Sequence, residues 1–261
     1  MGKYSSFFKL EWQQALTYRA EGFVWFLFEL IPLVVMLNLW HYQLVNNRVS
    51  HSQYSLLVLY YLVNILLNRL SAIHFEEGVI DKIKDGQLSL QLIKPYSYYW
   101  HLVPREITWR LQGLIYLLPS LVIIYPFLSG ISWPSPTFAN YSVFLILMVF
   151  AYFQRYFFAW LISLPAFWFD QSQALVHFKW MAEGIFGGAW IPLYLFPDWW
   201  QSIAKITPFY YWFYAPIQTL LGQEPSPYLT LSIAFVWLWV LYIFSRKFWI
   251  RAQKHYSAVG G

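Results

Sequence analysis

The run His74-Phe75-Glu76-Glu77 is the nearest approach to a metal or acid–base cluster in this chain of 261 residues. A histidine and a glutamate two positions apart point to different sides of a helix, so they do not converge on one ion. The run reads as a titratable patch at a membrane boundary, and His177 beside Lys179 reads the same way. The signatures of catalysis are missing. The chain has no G-x-x-x-x-G-K-[ST] phosphate loop, no H-E-x-x-H and no G-x-S-x-G. It has no cysteine either, which excludes disulfides, thiolate metal sites and a cysteine nucleophile. More informative are polar residues set inside apolar runs, because charge in hydrocarbon is costly and turns toward protein or water. Glu29 lies three residues before Pro32, which should kink its helix. Asn64, Asn68 and Ser71 recur at i, i+4 and i+7, a polar stripe that suits either helix packing or the lining of a substrate path. Gln154, Arg155 and Glu183 lie at comparable depth. Arg155 either pairs with Glu183 or snorkels to the nearer surface.

The elements that carry these residues are set by composition. Hydrophobic residues make up 59% of the chain, aromatic residues 23% and charged residues only 11%, against about 25% charged in a soluble domain. Such a chain is an all-α integral membrane protein. A helix needs about 20 apolar residues to cross a bilayer, and six runs qualify: 22–40, 54–73, 107–128, 140–164, 174–196 and 228–250. The fifth carries Lys179 and Glu183 in its first half. Lys and Arg outnumber Asp and Glu by 17 to 12, a net charge of +5. The surplus sits between apolar runs, where orientation explains it better than nucleic acid does. With both termini cytoplasmic, the basic residues gather on that side; only Arg48 and Lys205 fall outside, and Arg155 falls within the fourth span.

Three segments outside the spans have their own logic. Residues 1–20 place Phe7, Phe8, Trp12, Ala15 and Leu16 near one helical face, which suits a helix lying in the inner interface. The stretch 197–227 is aromatic and interrupted by Pro197, Pro208 and Pro216, so it folds back at the outer leaflet instead of spanning. Its Phe209 and Tyr210 are candidates for capping a path or for helix packing. The segment 76–95 is the largest cytoplasmic piece. Val79, Ile80 and Ile83 share one face of a short helix, while Glu77, Asp81, Lys84 and Asp85 cover other sides. Gly86 is placed to end that helix, and Leu88, Leu92 and Ile93 form a second apolar patch before Pro95. An apolar row on the cytoplasmic side, with no soluble domain to cover it, is expected to meet a partner. The acidic residues Glu76, Glu77, Asp81 and Asp85 favour a basic protein groove over anionic lipid.

This order of parts resembles the ABC-2-type permease subunits of ABC transporters, across essentially the whole chain. Two stretches carry the likeness. One runs from Glu76-Glu77-Gly78-Val79-Ile80-Asp81 through Gly86-Gln87-Leu88 to Leu92-Ile93-Lys94-Pro95, similar to that family's cytoplasmic coupling element. The other runs from Ile191-Pro192 through Leu195-Phe196-Pro197-Asp198-Trp199 and Thr207-Pro208-Phe209 to Tyr214-Ala215-Pro216 and Gly222, similar to its re-entrant segment before the last span. The ending Tyr256-Ser257-Ala258-Val259-Gly260 looks like that of one branch of these permeases.

The resemblance implies one transmembrane domain over 1–261 in the plasma (inner) membrane, paired with a second permease, identical or related, among membrane lipids. It implies no cofactor or catalysis in this chain. MgATP would bind cytoplasmic ABC ATPase subunits, which dock on Glu76, Glu77, Val79, Ile80, Asp81, Ile83, Asp85, Gly86 and Leu88. Export of an amphipathic, lipidic, peptide, glycan or drug-like cargo is the implied function. A non-ABC polytopic carrier should show inverted repeats, and a membrane-embedded lipid-modifying enzyme should show a convergent set of carboxylates or histidines; neither pattern is visible.

Overall fold

The computed structural model describes residues 3–128, 130–132 and 134–254. Among these the regular structure is helical, without strands. The α-helices begin with α1 (Lys3–Thr17), α2 (Arg19–Val45), α3 (His51–Ser71), α4 (Glu76–Lys84) and α5 (Leu88–Leu92). Next come α6 (Tyr98–His101), α7 (Val103–Ile124), α8 (Phe138–Ser163) and α9 (Ala174–Ile185). The chain closes with α10 (Asp198–Ile206), α11 (Tyr214–Leu220) and α12 (Pro227–Gln253).

Among the described residues, four helical stretches are long and apolar enough to cross a membrane: Arg19–Val45, His51–Lys84, Phe138–Phe167 and Pro227–Gln253. This is a membrane protein. The second stretch breaks at 72–75, so its continuous part is the 21-residue α3. The other two expected runs differ. The third falls on α7, 22 residues long, with Arg105, Glu106 and Arg110 in its first half and Pro119 inside. The fifth is divided. Only its first part is helix, the 12-residue α9, followed by turns and a short 3-10 segment at Leu193–Leu195. At 1.5 Å per residue α9 rises about 18 Å, well short of a hydrocarbon core of about 30 Å.

The chain divides into two compact units. The first comprises Met1–Leu70 and Trp100–Ser135. Helix α7 is its centre, with α1 and α2 packed on it. Phe7, Phe8, Trp12 and Ala15 are half-buried while Leu16 is exposed. The amide of Gln112 ties α7 to α1 by donating to the Ala15 carbonyl at 3.1 Å and to the Tyr116 hydroxyl at 2.8 Å. That hydroxyl in turn donates to the Arg19 carbonyl at 2.8 Å. Arg110 Nε donates to the Leu70 carbonyl at 2.8 Å, and its guanidinium lies 3.6 Å from Glu106 on the same helix.

The second unit comprises Ser71–Tyr99 and Pro136–Gly261. Its axis is α8, started by Thr137, whose hydroxyl caps the Asn140 amide at 3.3 Å. Helices α12, α11, α4 and α9 all pack against α8. Aromatic rings fill the centre: Trp160 meets Phe75, Tyr98, Tyr99 and Trp249. Edge-to-face pairs of this kind add about 0.5–1.5 kcal/mol each beyond area burial. Gln154, deep in α8, has both ends of its amide satisfied. It donates to the Ala234 carbonyl at 2.8 Å and accepts from Trp212 Nε1 at 2.9 Å.

Candidate functional site

Helix α4 is short, and its charges run with its dipole: Glu76 and Glu77 in the first turn, Lys82 and Lys84 in the last. It ends where the sequence suggests. Gly86 adopts φ +71°, the left-handed conformation that glycine takes without a Cβ penalty, and its amide donates to the Ile83 carbonyl at 3.3 Å. The apolar row does not face outward. Val79, Ile80 and Ile83 are buried, and Ile80 packs with Ile162 and Val176 from α8 and α9. This corrects the expectation that the row awaits a partner: the chain's own 3-10 turn at Leu164–Phe167, together with α8, covers it. Leu88 is buried as well.

What α4 exposes is acidic. Glu77, Asp81 and Asp85 are all exposed and recur every four residues, one stripe along one face. Just beyond Gly86, α5 and its end leave Leu90 60% and Ile93 80% exposed. Acidic side chains and two bare aliphatic ones thus follow one another along α4 and α5, charge first and apolar area next.

Behind the stripe lies a cluster of four buried charges. Glu76, Lys179, Arg155 and Glu183 are 1%, 1%, 3% and 8% exposed. Lys179 Nζ donates to Glu76 Oε1 and to the Ile73 carbonyl, the latter at 3.0 Å. Arg155 Nη2 donates to Glu183 Oε2 at 3.0 Å, and Nη1 donates to Ser71 Oγ at 2.9 Å. The Arg155 guanidinium also lies over the Phe213 ring, 4.8 Å from its centroid. Arg155 therefore pairs inside the protein and does not snorkel. Two carboxylate oxygens, Glu76 Oε2 and Glu183 Oε1, are buried without a hydrogen-bond partner among the described residues.

The other residues marked in the sequence are dispersed. Asn64 is buried and Asn68 half-buried on α3; Ser71, third of that stripe, is drawn to Arg155. Glu29 is on α2, and its side chain lies outside those described, as does the ending 256–260. Phe209 and Tyr210 are buried among rings: Phe209 meets Phe158, Phe186 and Trp212, and Tyr210 meets Tyr211 and Tyr214. Burial, with a smaller push from the charge of Glu224, raises the Tyr211 and Tyr214 phenols to about 12; the same two causes raise Tyr210. This packing demands a glycine at 187. A Cβ there would lie 2.5 Å from the Glu183 carbonyl oxygen and 3.1 Å from that of Phe209. The Gly187 carbonyl accepts from the Tyr214 amide at 3.1 Å.

Sequence reasoning missed the Lys179–Glu76 pair. Its partners are 103 residues apart, and no spacing rule links them. Among the described residues no group of three or more His, Asp or Glu side chains could hold a metal ion, which leaves His74 to Glu77 as divided neighbours: His74 is exposed and Glu76 is interior.

No curated protein and no solved structure matches the chain. A family model does, that of the ABC-2 family transporter protein, over residues 23–260. Its span takes in the spanning helices, the acidic helix and the aromatic segment alike, and on that match the chain belongs to the ABC-2 transporter family.

Proposed function

We propose that this chain is the permease subunit of an ATP-driven ABC transporter and that its α4–α5 surface is where a separate cytoplasmic ATPase docks. The single observation that carries the docking assignment is the division of α4: its apolar row is covered from within, and its acidic stripe is left bare beside Leu90 and Ile93. A covered row fixes the helix in place, and a bare charged stripe with an apolar tip suits a basic-rimmed groove. MgATP belongs to that ATPase. This chain supplies the path and the lever, because a nucleotide shifts the transporter only through contacts that differ between its states.

In the same reading the membrane is the plasma membrane, both termini are cytoplasmic, and two permeases, identical or related, complete one path. The domain then holds six membrane segments, with α7 and the divided run beginning at α9 joining the four long apolar stretches; α1 lies at the inner interface and 197–227 at the outer one. Cargo is amphipathic, lipidic, peptide, glycan or drug-like, in keeping with interior surfaces rich in rings and amides and poor in unpaired charge.

The test is co-purification. The chain is co-expressed with a candidate phosphate-loop ABC ATPase from its own genome, and ATPase recovery is measured for two exposed-surface variants, Glu77→Lys with Asp85→Lys, and Leu90→Asp with Ile93→Asp. Both should insert and fold as the parent does, and both should lose the ATPase. Full recovery of the ATPase with both variants overturns the assignment.

A further inference from the structure

The buried charge cluster is not needed to fill space, and buried ion pairs are weak contributors to net stability because desolvation offsets their attraction. What they supply is position. Glu76 is the first residue of α4, and Lys179 sits in the middle of α9. Lys179 also holds the Ile73 carbonyl, within the 72–75 break that precedes α4. At the N-terminal cap of α9, Gln173 Nε2 donates to Asp81 Oδ1 at 3.0 Å, and Ile80 packs between the two points. Helix α4 is thus attached to α9 at its start, its middle and its outer face. Arg155 carries the attachment on from Glu183 of α9 to Ser71 at the end of α3.

From this geometry we infer that Glu76 and Lys179 are positioning residues that make α4 one rigid body with α8 and α9, so that a push on the acidic stripe is delivered to α9 and the turn after it. Without the pair, the same push would be taken up as a swing of α4 about 72–75. The inference rests on the reading of α4 as the docking helix for its direction of force, but the attachment itself belongs to this chain alone. Glycine 187 and the aromatic turn that closes on it lie at the far end of α9, where such a displacement would arrive.

The chain has no native cysteine, so spin labels at Lys84→Cys on α4 and His177→Cys on α9 report one distance by pulsed electron spin resonance. Measurements are made on the chain in lipid nanodiscs and on its complex with the ATPase, nucleotide-free and trapped with MgATP and vanadate. One narrow distance is expected, the same in every state. Lys179→Met should lose that single distance to a broad distribution. Because this variant leaves Glu76 buried and unpaired, Glu76→Gln with Lys179→Met is measured beside it; the neutral pair should fold like the parent and still give the broad distribution. A distance that shifts on trapping in the parent complex overturns the inference. So does a narrow distance in the folded double variant, since the Ile80 packing and the Gln173–Asp81 hydrogen bond would then hold α4 without the pair. If the stripe variants instead keep their ATPase, the docking assignment fails, while the nanodisc distances of the chain alone still decide the attachment.

Discussion

Arg155 shows how one residue settles the cost of charge inside a membrane protein. Its guanidinium reaches a carboxylate, a hydroxyl and a ring face at once, so that three elements satisfy what one could not. Removing it strands Glu183, and breaking a buried pair from one side costs about 3–5 kcal/mol. Arg155→Met should therefore lower unfolding stability in detergent by about that much, and Glu183→Gln by less, since the introduced amide oxygen can still accept from Arg155, which keeps Ser71 Oγ and the Phe213 ring. The double change should cost less than the sum; strict additivity would mean that the two side chains do not act as a pair. Gly187 makes a different point. Both near atoms are backbone oxygens, which cannot step aside as a side chain can, so Gly187→Ala should destabilise by roughly 1–3 kcal/mol. Wild-type stability for that variant would show that the turn at Phe209 is not closed on α9.

Helix α4 has two faces with opposite duties, and substitutions should separate them. Ile80 is wholly buried. An aspartate there has no partner, and burying an unpaired carboxylate costs several kcal/mol. Ile80→Asp should therefore reduce folded yield, measured as monodisperse protein on size exclusion, whereas Leu90→Asp and Ile93→Asp should not. Equal yields for all three would contradict the burial of the apolar row. Helix α10 has the same two-sided build. Ala204 is buried and the Trp200 ring stacks on Phe186 with centroids 4.9 Å apart, while Trp199, Ile203 and Ile206 form an exposed row. A short helix with such a row lies along a lipid boundary more readily than it crosses one.

Across the whole molecule the prediction is one of sidedness. In the proposed topology most basic residues gather on the cytoplasmic side, since Lys and Arg near span ends set orientation. Single cysteines at Asn47, Ser135 and Ser226 should react with an impermeant thiol reagent in intact cells. Those at Ser5 and Gln87 should be shielded until the membrane is opened. Labelling of Gln87→Cys from outside would invert the topology and remove the ATPase from reach of α4.

The membrane class, the four long apolar helices and the end of α4 at Gly86 were legible in the sequence, because each follows from local rules: hydrophobic length, charge exclusion and the backbone freedom of glycine. The depth of Arg155 and Glu183 raised their pairing as one of two alternatives, and the structure contains the pair. Tertiary structure alone decided which side of α4 faces out. Periodicity shows that Val79, Ile80 and Ile83 share a face, but not that α8, α9 and a 3-10 turn are there to cover it. It also decided that the fifth apolar run breaks after 12 residues. Hydropathy counts residues without regard to the turn that Gly187 and the aromatic rings fold against them. The pairing of Lys179 with Glu76 is the clearest case: 103 residues separate them, and attraction between opposite charges carries no address until the backbone brings them together.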